Sequence, residues 1–203
     1  MGDKGKRLET SMIHSQGDDN GHGSLTTPIY QTSTFSFPSA SVGEKRFAGE
    51  DDGYIYTRLG NPTVKTLEDR IATLEGGEKA LAFASGMAAV SAVLIALTKA
   101  NDHILCSNGL YGCTFGLLTM LEEKYSITHD FSFMESEKEL RSRLTENTAC
   151  IFIETPINPT MKMIDLSMVA RVAKEYEIPV IVDNTFCTPY LQRPLELGCD
   201  VVI

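Results

Sequence analysis

The spacing of apolar residues predicts alternating helices and strands from residue 61 onward. Asn61-Pro62 is typical of a helix N-cap followed by the first helical residue. Apolar side chains then repeat at helical spacing until Gly76-Gly77, at Val64, Leu67, Ile71 and Leu74. The pattern therefore predicts a helix of about four turns over this segment.

Short apolar runs separated by helical patterns continue to the last residue. The predicted strands are Ala80–Ala84, His103–Cys106, Ile127–Phe131, Cys150–Glu154, Val180–Asp183 and one that opens at Asp200–Ile203. The predicted helices run from Ser85-Gly86 to about Lys99, from Gly112 to about Glu122, over Ser136–Leu144 and over Leu166–Tyr176. Strands that alternate with helices indicate an α/β fold, with a mainly parallel sheet and helices on both faces.

Residues 1–60 show little apolar periodicity and contain many Gly, Ser, Thr and Asp residues. We expect them to form an extended N-terminal arm. Aromatic residues are frequent for a flexible tail, at Tyr30, Phe35, Phe37, Phe47, Tyr54 and Tyr56. The arm is therefore predicted to pack on something, and a neighbouring subunit is the favoured surface.

Charge and composition narrow the class of protein. A formal net charge of -9, with scattered Lys and Arg residues, argues against a nucleic-acid partner. The longest apolar stretch, around Met87 to Leu97, is too short and broken to span a bilayer, and the N-terminus has no apolar signal region. We therefore expect a cytoplasmic protein without membrane segments. Five widely spaced cysteines without CxxC pairs predict free thiols, with neither disulfides nor a metal site.

Three predicted strand ends carry residues suited to one ligand, and strand ends are where α/β sheets bind ligands. Gly86 and Met87 open a helix whose free amides would hold a phosphate. Glu154 and Asn158 follow the Cys150–Glu154 strand, and Asp183 ends the next one. A carboxylate near a phosphate is electrostatically unfavourable unless it has a cationic partner of its own, and a protonated pyridine nitrogen would be such a partner.

Pyridoxal 5'-phosphate carries both a phosphate and a pyridine nitrogen, so the three strand ends together favour this cofactor. Each feature alone has an ordinary structural explanation. A Ser-Gly pair at a helix start is a common cap, and an acid after a strand is often another cap. The order and spacing of the features carry the prediction.

With these residues in this order, the chain resembles the pyridoxal-phosphate enzymes of cysteine and methionine metabolism, which have the aspartate-aminotransferase-like fold type I. The likeness covers essentially the whole chain. Tyr56-Thr57-Arg58 is similar to the family segment that reaches across a dimer interface to the partner's cofactor phosphate. Arginine suits that role because its guanidinium hydrogen bonds with two prongs.

The resemblance also implies roles for the strand-end residues. Ser85-Gly86-Met87 looks like the phosphate turn, and Tyr111 matches the tyrosine that stacks on the pyridine ring and serves in acid-base chemistry. Glu154 and Asn158 resemble the acid and the asparagine beside the cofactor, and Asp183 resembles the acid at the pyridine nitrogen. These enzymes act on small sulfur amino acids, and the likeness implies a homotetramer of dimers that share active sites.

Cys113, two residues after Tyr111, resembles the methionine γ-lyases within the family. That likeness implies γ-elimination of L-methionine to methanethiol, 2-oxobutanoate and ammonia, with Tyr111 protonating the leaving sulfur through a phenol of lowered pKa. A small buried thiol is the structural alternative for Cys113. Cystathionine γ-lyase, cystathionine γ-synthase and O-acetylhomoserine sulfhydrylase stay open as alternative activities, because they share the cofactor residues.

One departure from the family pattern is large. The family's Schiff-base lysine lies in a Ser-x-Thr-Lys motif shortly beyond the strand that opens at Asp200, and the sequence ends at Ile203. We therefore expect residues 61–203 to be the first part of the large cofactor-binding domain, truncated before that lysine. A catalytically dead fragment is the alternative for the 203-residue form. A nicotinamide dehydrogenase is disfavoured, because no GxGxxG follows a strand.

Overall fold

The computed structural model describes residues 7–13 and 23–203. The chain divides into two compact units, Met1–Ala82 and Phe83–Ile203. The parts of the predicted arm at residues 1–6 and 14–22 lie outside the described residues.

The described part of the first unit, residues 7–13 and 23–82, contains three helices: α1 (Leu8–Ile13), α2 (Ala40–Phe47) and α3 (Pro62–Glu75). Helix α3 is the helix predicted from residue 61. Asn61 caps it by accepting the Thr63 amide at 2.9 Å, and Gly76 ends it at a left-handed φ of 73°. Residues 40–47 differ from the extended chain expected there, because Ser39 supplies an N-cap that begins α2.

The predicted strand Ala80–Ala84 is wrong. No strand forms there, and the Ala82 amide donates to the Glu68 carboxylate at 2.8 Å. Leu81 is 75% exposed, whereas a buried strand would cover it. The apolar run was short, and short runs do not by themselves distinguish a strand from an irregular segment.

The second unit is an α/β layer structure around a five-stranded sheet. Its strands are β1 (His103–Ser107), β2 (Thr128–Ser132), β3 (Thr148–Glu154), β4 (Val180–Asp183) and β5 (Val201–Val202). Its α-helices are α4 (Gly86–Leu97), α5 (Gly112–Tyr125), α6 (Glu137–Arg143), α7 (Leu166–Glu175) and α8 (Thr188–Leu191), and a 3-10 helix covers Pro194–Leu197.

The strands lie in the order β2-β1-β3-β4-β5, and every neighbouring pair is parallel. Alternate residues of β1 enter two separate cores. Ile104 packs with Leu94 of α4 and Leu118 of α5, while Leu105 packs in the other core with Leu140 of α6 and Val169 of α7. Helices therefore cover both faces, which confirms the predicted parallel α/β arrangement.

Parallel strands bring their carboxyl ends to one edge of the sheet, and β3 and β4 end there together. Their register pairs Glu154 with Asp183. Because register partners on neighbouring strands share a face, two carboxylates stand side by side at this edge. Across the described residues, no helix is long and apolar enough to cross a membrane.

Candidate active site

A cleft of about 400 Å³ opens at the carboxyl ends of β3 and β4, within the second unit. That volume suits a small-molecule ligand. Its polar wall is formed by Ser85, Gly86, Tyr111, Glu154, Asn158, Asp183 and Thr185. Its apolar wall is formed by Met87, Val90, Pro156, Phe186 and Ile203.

The N-terminus of α4 faces this cleft with two free amides. Ser85 caps the helix through its side chain, which accepts the Ala88 amide at 3.1 Å. Among residues 23–203, neither the Gly86 nor the Met87 amide donates a hydrogen bond. A methyl group added at Gly86 would meet no atom within 4 Å, so the backbone there is open to a ligand. Free amides at a helix N-terminus suit an anion such as a phosphate.

Tyr111 stands at the start of α5 and lines the cleft with 48% of its surface exposed. It occupies the N-cap position but makes no side-chain cap. Helix N-caps are usually Ser, Thr, Asp or Asn, and an aromatic residue is unfavourable there. Tyr111 at this position instead places an aromatic ring at the cleft. The ring is available to stack on a planar ligand.

The pKa of the Tyr111 phenol is raised from its ordinary value by the neighbouring Cys113 thiol. The lowered pKa that the family resemblance implies for this phenol would need cationic neighbours, and none of the described residues lining the cleft is cationic. The phenol is therefore held protonated at neutral pH. Cys113 is exposed and is not among the described residues that line the cleft.

The family resemblance places Glu154 beside the cofactor, although Glu154 is not among the predicted cofactor-binding residues. It is only 5% exposed, and its carboxylate accepts the Tyr111 amide at 2.7 Å and the Asn158 amide at 3.1 Å. Its own amide donates to the Ser107 hydroxyl at 3.0 Å. The available signal was an acid ending a buried strand, four residues before an asparagine.

Asp183 ends β4 at the same cleft. Its Oδ1 accepts two hydrogen bonds from Thr185, from the amide at 3.1 Å and from the hydroxyl at 2.6 Å. Within the part of the chain that the structure describes, no group donates to Oδ2. One carboxylate oxygen therefore remains available for a protonated ring nitrogen.

The loop after Asp183 is held by side-chain amides. Asn184 is buried and donates to the Gln192 carbonyl at 2.9 Å, and the Gln192 side chain returns a hydrogen bond to Asn184 Oδ1 at 2.8 Å. The same Gln192 amide reaches the Thr155 carbonyl at 3.3 Å. This network fixes Thr185 and Phe186 beside the strand end, where both line the cleft.

The structure thus brings five predicted residues to one cleft: Gly86, Met87, Tyr111, Asn158 and Asp183. Tyr56 and Arg58 belong to the first unit, where the Arg58 guanidinium lies 4.7 Å from the centroid of the Tyr56 ring. Their role at the partner's cofactor stays a prediction.

The charges of the cleft fit a ligand with a cationic ring nitrogen and an anionic group. Its described lining holds two carboxylates, Glu154 and Asp183, and no Lys, Arg or His. The Glu154 charge is met by two peptide amides, so Asp183 is the acid left to pair with a cation. The anionic group fits the free amides of α4. The residues present therefore fit pyridoxal 5'-phosphate.

A parallel α/β sheet with an anion-binding helix terminus, an exposed tyrosine and an acid at one cleft defines a class: enzymes that bind a phosphorylated aromatic cofactor. The family model for the Cys/Met metabolism PLP-dependent enzymes matches residues 9–203. The chain belongs to this family, and pyridoxal 5'-phosphate is accordingly its cofactor.

Individual relatives agree with this assignment. The chain is 46% identical to an L-methionine gamma-lyase of Porphyromonas gingivalis, over 96% of this chain and 49% of that protein. It is 43% identical to a cystathionine gamma-synthase/O-acetylhomoserine (thiol)-lyase of Bacillus subtilis, over 98% of this chain and 51% of that protein. The chain spans about half the length of the curated relatives it matches.

A solved structure has the same fold. It is a putative O-acetylhomoserine (thiol)-lyase from Campylobacter jejuni that carries N'-pyridoxyl-lysine-5'-monophosphate. The TM-score is 0.91 at 33% sequence identity, with 97% of this chain and 49% of that chain covered. The likeness supports the fold type I prediction made from the sequence.

Proposed function

We propose that the full-length protein catalyses γ-elimination of L-methionine to methanethiol, 2-oxobutanoate and ammonia. The observation that carries the proposal is the single cleft at which the free amides of Gly86 and Met87, the ring of Tyr111 and the carboxylate of Asp183 meet. The 46% identity to an L-methionine gamma-lyase supports methionine as the substrate.

Two parts of the cleft would hold the cofactor. The amides of Gly86 and Met87 would bind its phosphate, and the Asp183 carboxylate would keep its ring nitrogen protonated. When bound, pyridoxal phosphate supplies an electron sink that stabilises negative charge next to the substrate's amino group. Thr185, which already bonds Asp183 through two donors, would hold that carboxylate in place.

Tyr111 would act as the general acid for the leaving sulfur. Its ring would lie over the cofactor ring, and its hydroxyl would give a proton to the sulfur atom of methionine. The raised pKa makes the free phenol a weaker acid, so this role would need the bound cofactor or a cationic neighbour to lower that pKa. The Cys113 thiol interacts with the Tyr111 phenol, and through that interaction it would favour methionine over the other sulfur amino acids.

Assembly would complete the charge of the site. The described lining of the cleft has no cationic side chain, and a guanidinium would strengthen the binding of a phosphate. We propose that Arg58 of a neighbouring subunit supplies it, with Tyr56 beside it, in a homotetramer built from dimers. In the chain, the guanidinium already packs on the Tyr56 ring.

The competing activity is that of a cystathionine γ-lyase or γ-synthase or an O-acetylhomoserine sulfhydrylase. The 43% identity to a cystathionine gamma-synthase/O-acetylhomoserine (thiol)-lyase is the observation that favours it. Product analysis of the full-length, cofactor-loaded protein with methionine as the sole substrate separates the two. Release of methanethiol and 2-oxobutanoate supports the proposal. Turnover of cystathionine or O-acetylhomoserine, with no methanethiol from methionine, would reject it.

A further inference from the structure

Glu154 joins the two loops that carry Tyr111 and Asn158. Its carboxylate lies at the end of β3, nearly fully buried, and each oxygen accepts one backbone amide. Oε2 accepts the amide of Tyr111 at 2.7 Å, and Oε1 accepts the amide of Asn158 at 3.1 Å. A single side chain thus sets the positions of two cleft residues relative to one strand end.

Helix α5 lacks the N-cap side-chain hydrogen bond that five other helices have. Helices α2, α3, α4, α6 and α7 are each capped by their own N-cap side chain, from Ser39, Asn61, Ser85, Ser136 and Asp165. Helix α5 begins at Tyr111, whose side chain makes no cap. The buried Glu154 carboxylate accepts the amide of this N-cap residue, at the end of the helix where a negative charge is favourable.

The same two loops also touch directly. Gly109, at a φ of +107°, lies so close to Ile157 that an added Cβ would stand 2.7 Å from the Ile157 Cγ2 methyl. Glu154 is itself held through its amide, which donates to the buried Ser107 hydroxyl. The Tyr111 loop, the Asn158 loop and the end of β3 are therefore held together, by apolar packing of Gly109 on Ile157 and by the hydrogen bonds of Glu154.

We propose that Glu154 is a positioning residue for the reaction, which holds the Tyr111 hydroxyl over the reacting sulfur through the backbone of α5. This inference rests on the proposed function for its reaction, but its geometric part does not. Each oxygen accepts one amide, so the carboxylate acts on Tyr111 and Asn158 through the peptides that it holds. A misplaced general acid lowers kcat much more than it weakens substrate binding.

The test compares Glu154→Gln with Glu139→Gln in the full-length, cofactor-loaded protein. Glu139 is a matched control, because its carboxylate also accepts two backbone amides, from Phe133 at 3.0 Å and Glu135 at 2.9 Å, but does not line the cleft. Glutamine keeps the size of the side chain but presents an NH2 group where one amide needs an acceptor.

We expect Glu154→Gln to speed hydrogen exchange about tenfold or more in peptides spanning residues 109–113 and 156–160. We also expect kcat with methionine to fall about 10- to 100-fold, with KM changed less than about threefold. The visible absorption band of the bound cofactor should stay. Glu139→Gln should leave kcat within about twofold, and Glu154→Asp, which keeps the charge on a shorter side chain, should lie between wild type and Glu154→Gln.

The inference is overturned if exchange in the two peptides is unchanged in Glu154→Gln, or if Glu139→Gln lowers kcat equally. Should Glu154→Gln fail to fold, Glu154→Asp decides by the same readouts. The exchange measurement does not depend on the substrate. If the wild type releases no methanethiol, the proposed function fails, while exchange and the kcat ratio on whichever sulfur amino acid is turned over still decide the role of Glu154.

Discussion

Replacing Gly109 with alanine tests how closely the Tyr111 loop and the Asn158 loop are packed. The added methyl group would stand 2.7 Å from the Cγ2 of Ile157, which is 4% exposed and whose β-branched side chain cannot rotate away cheaply. The φ of +107° is a second cost, because side chains other than glycine rarely adopt it.

The two costs set the magnitude. Backbone strain at such a φ and overpacking of a filled core cost about 1–3 kcal/mol each, and alanine returns less than about 1 kcal/mol by restricting the unfolded chain. We therefore expect the free energy of unfolding to fall by about 1 to 5 kcal/mol. That is a large share of the roughly 5–15 kcal/mol that holds a typical domain together.

Urea denaturation of the 203-residue chain, followed by circular dichroism, measures the change. Gly116→Ala is the matched control, since Gly116 lies in α5 and an added methyl group meets no atom within 4 Å. Alanine there should leave stability unchanged or raise it by up to about 1 kcal/mol, as expected for a helix interior.

A double variant separates strain from overpacking. In an Ile157→Ala background the methyl groups no longer collide, so Gly109→Ala should cost less than it does in the wild type. If Gly109→Ala lowers the free energy of unfolding equally in both backgrounds, the contact with Ile157 does not contribute to the loss. If Gly109→Ala is as stable as the wild type, the packing of the two loops described above is wrong.

Three further predictions concern acid-base groups and specificity. Tyr111→Phe should lower kcat for γ-elimination about 10²- to 10⁴-fold in the full-length protein, and full activity in a methanethiol assay would remove its role as acid. Cys113→Gly should shift relative kcat/KM from methionine towards cystathionine, and unchanged ratios would refute a specificity role. Burial lowers the pKa of His103 below its ordinary value of about 6.5, so the unfolded chain takes up a proton there more readily than the folded chain. The free energy of unfolding should therefore fall as the pH drops below about 6.5. Thermal melts at several pH values should show a smaller loss for His103→Asn, and an equal loss would contradict this linkage.

The inner strands of the sheet, β1, β3 and β4, were predictable because they are mainly apolar and bounded by helical patterns. Residues 150–154 and 180–182 are buried on both faces of the sheet, and such runs are typical of parallel strands. Ala80–Ala84 shows the limit of this signal. Its residues are as apolar as those of a strand, but the Ala82 amide bonds the Glu68 side chain instead of a ladder. Apolar character alone does not supply a pairing partner.

Helix α2 and the role of Glu154 were not predictable for a different reason. Helix α2 has a glycine inside it and no apolar repeat, so the Ser39 cap was its main signal. Glu154 acts through the amides of Tyr111 and Asn158, and one of these lies 43 residues away in the sequence. Local spacing identifies the acid but does not identify its distant partners.

The central claim is that the cleft at the ends of β3 and β4 binds pyridoxal 5'-phosphate in one orientation. A crystal structure of the full-length protein with the cofactor bound tests it most directly. The account predicts phosphate oxygens within hydrogen-bond distance of the Gly86 and Met87 amides, the Tyr111 ring over the pyridine, and the Asp183 carboxylate at the ring nitrogen. A cofactor bound with its phosphate away from the N-terminus of α4, or with another group at the ring nitrogen, would contradict it.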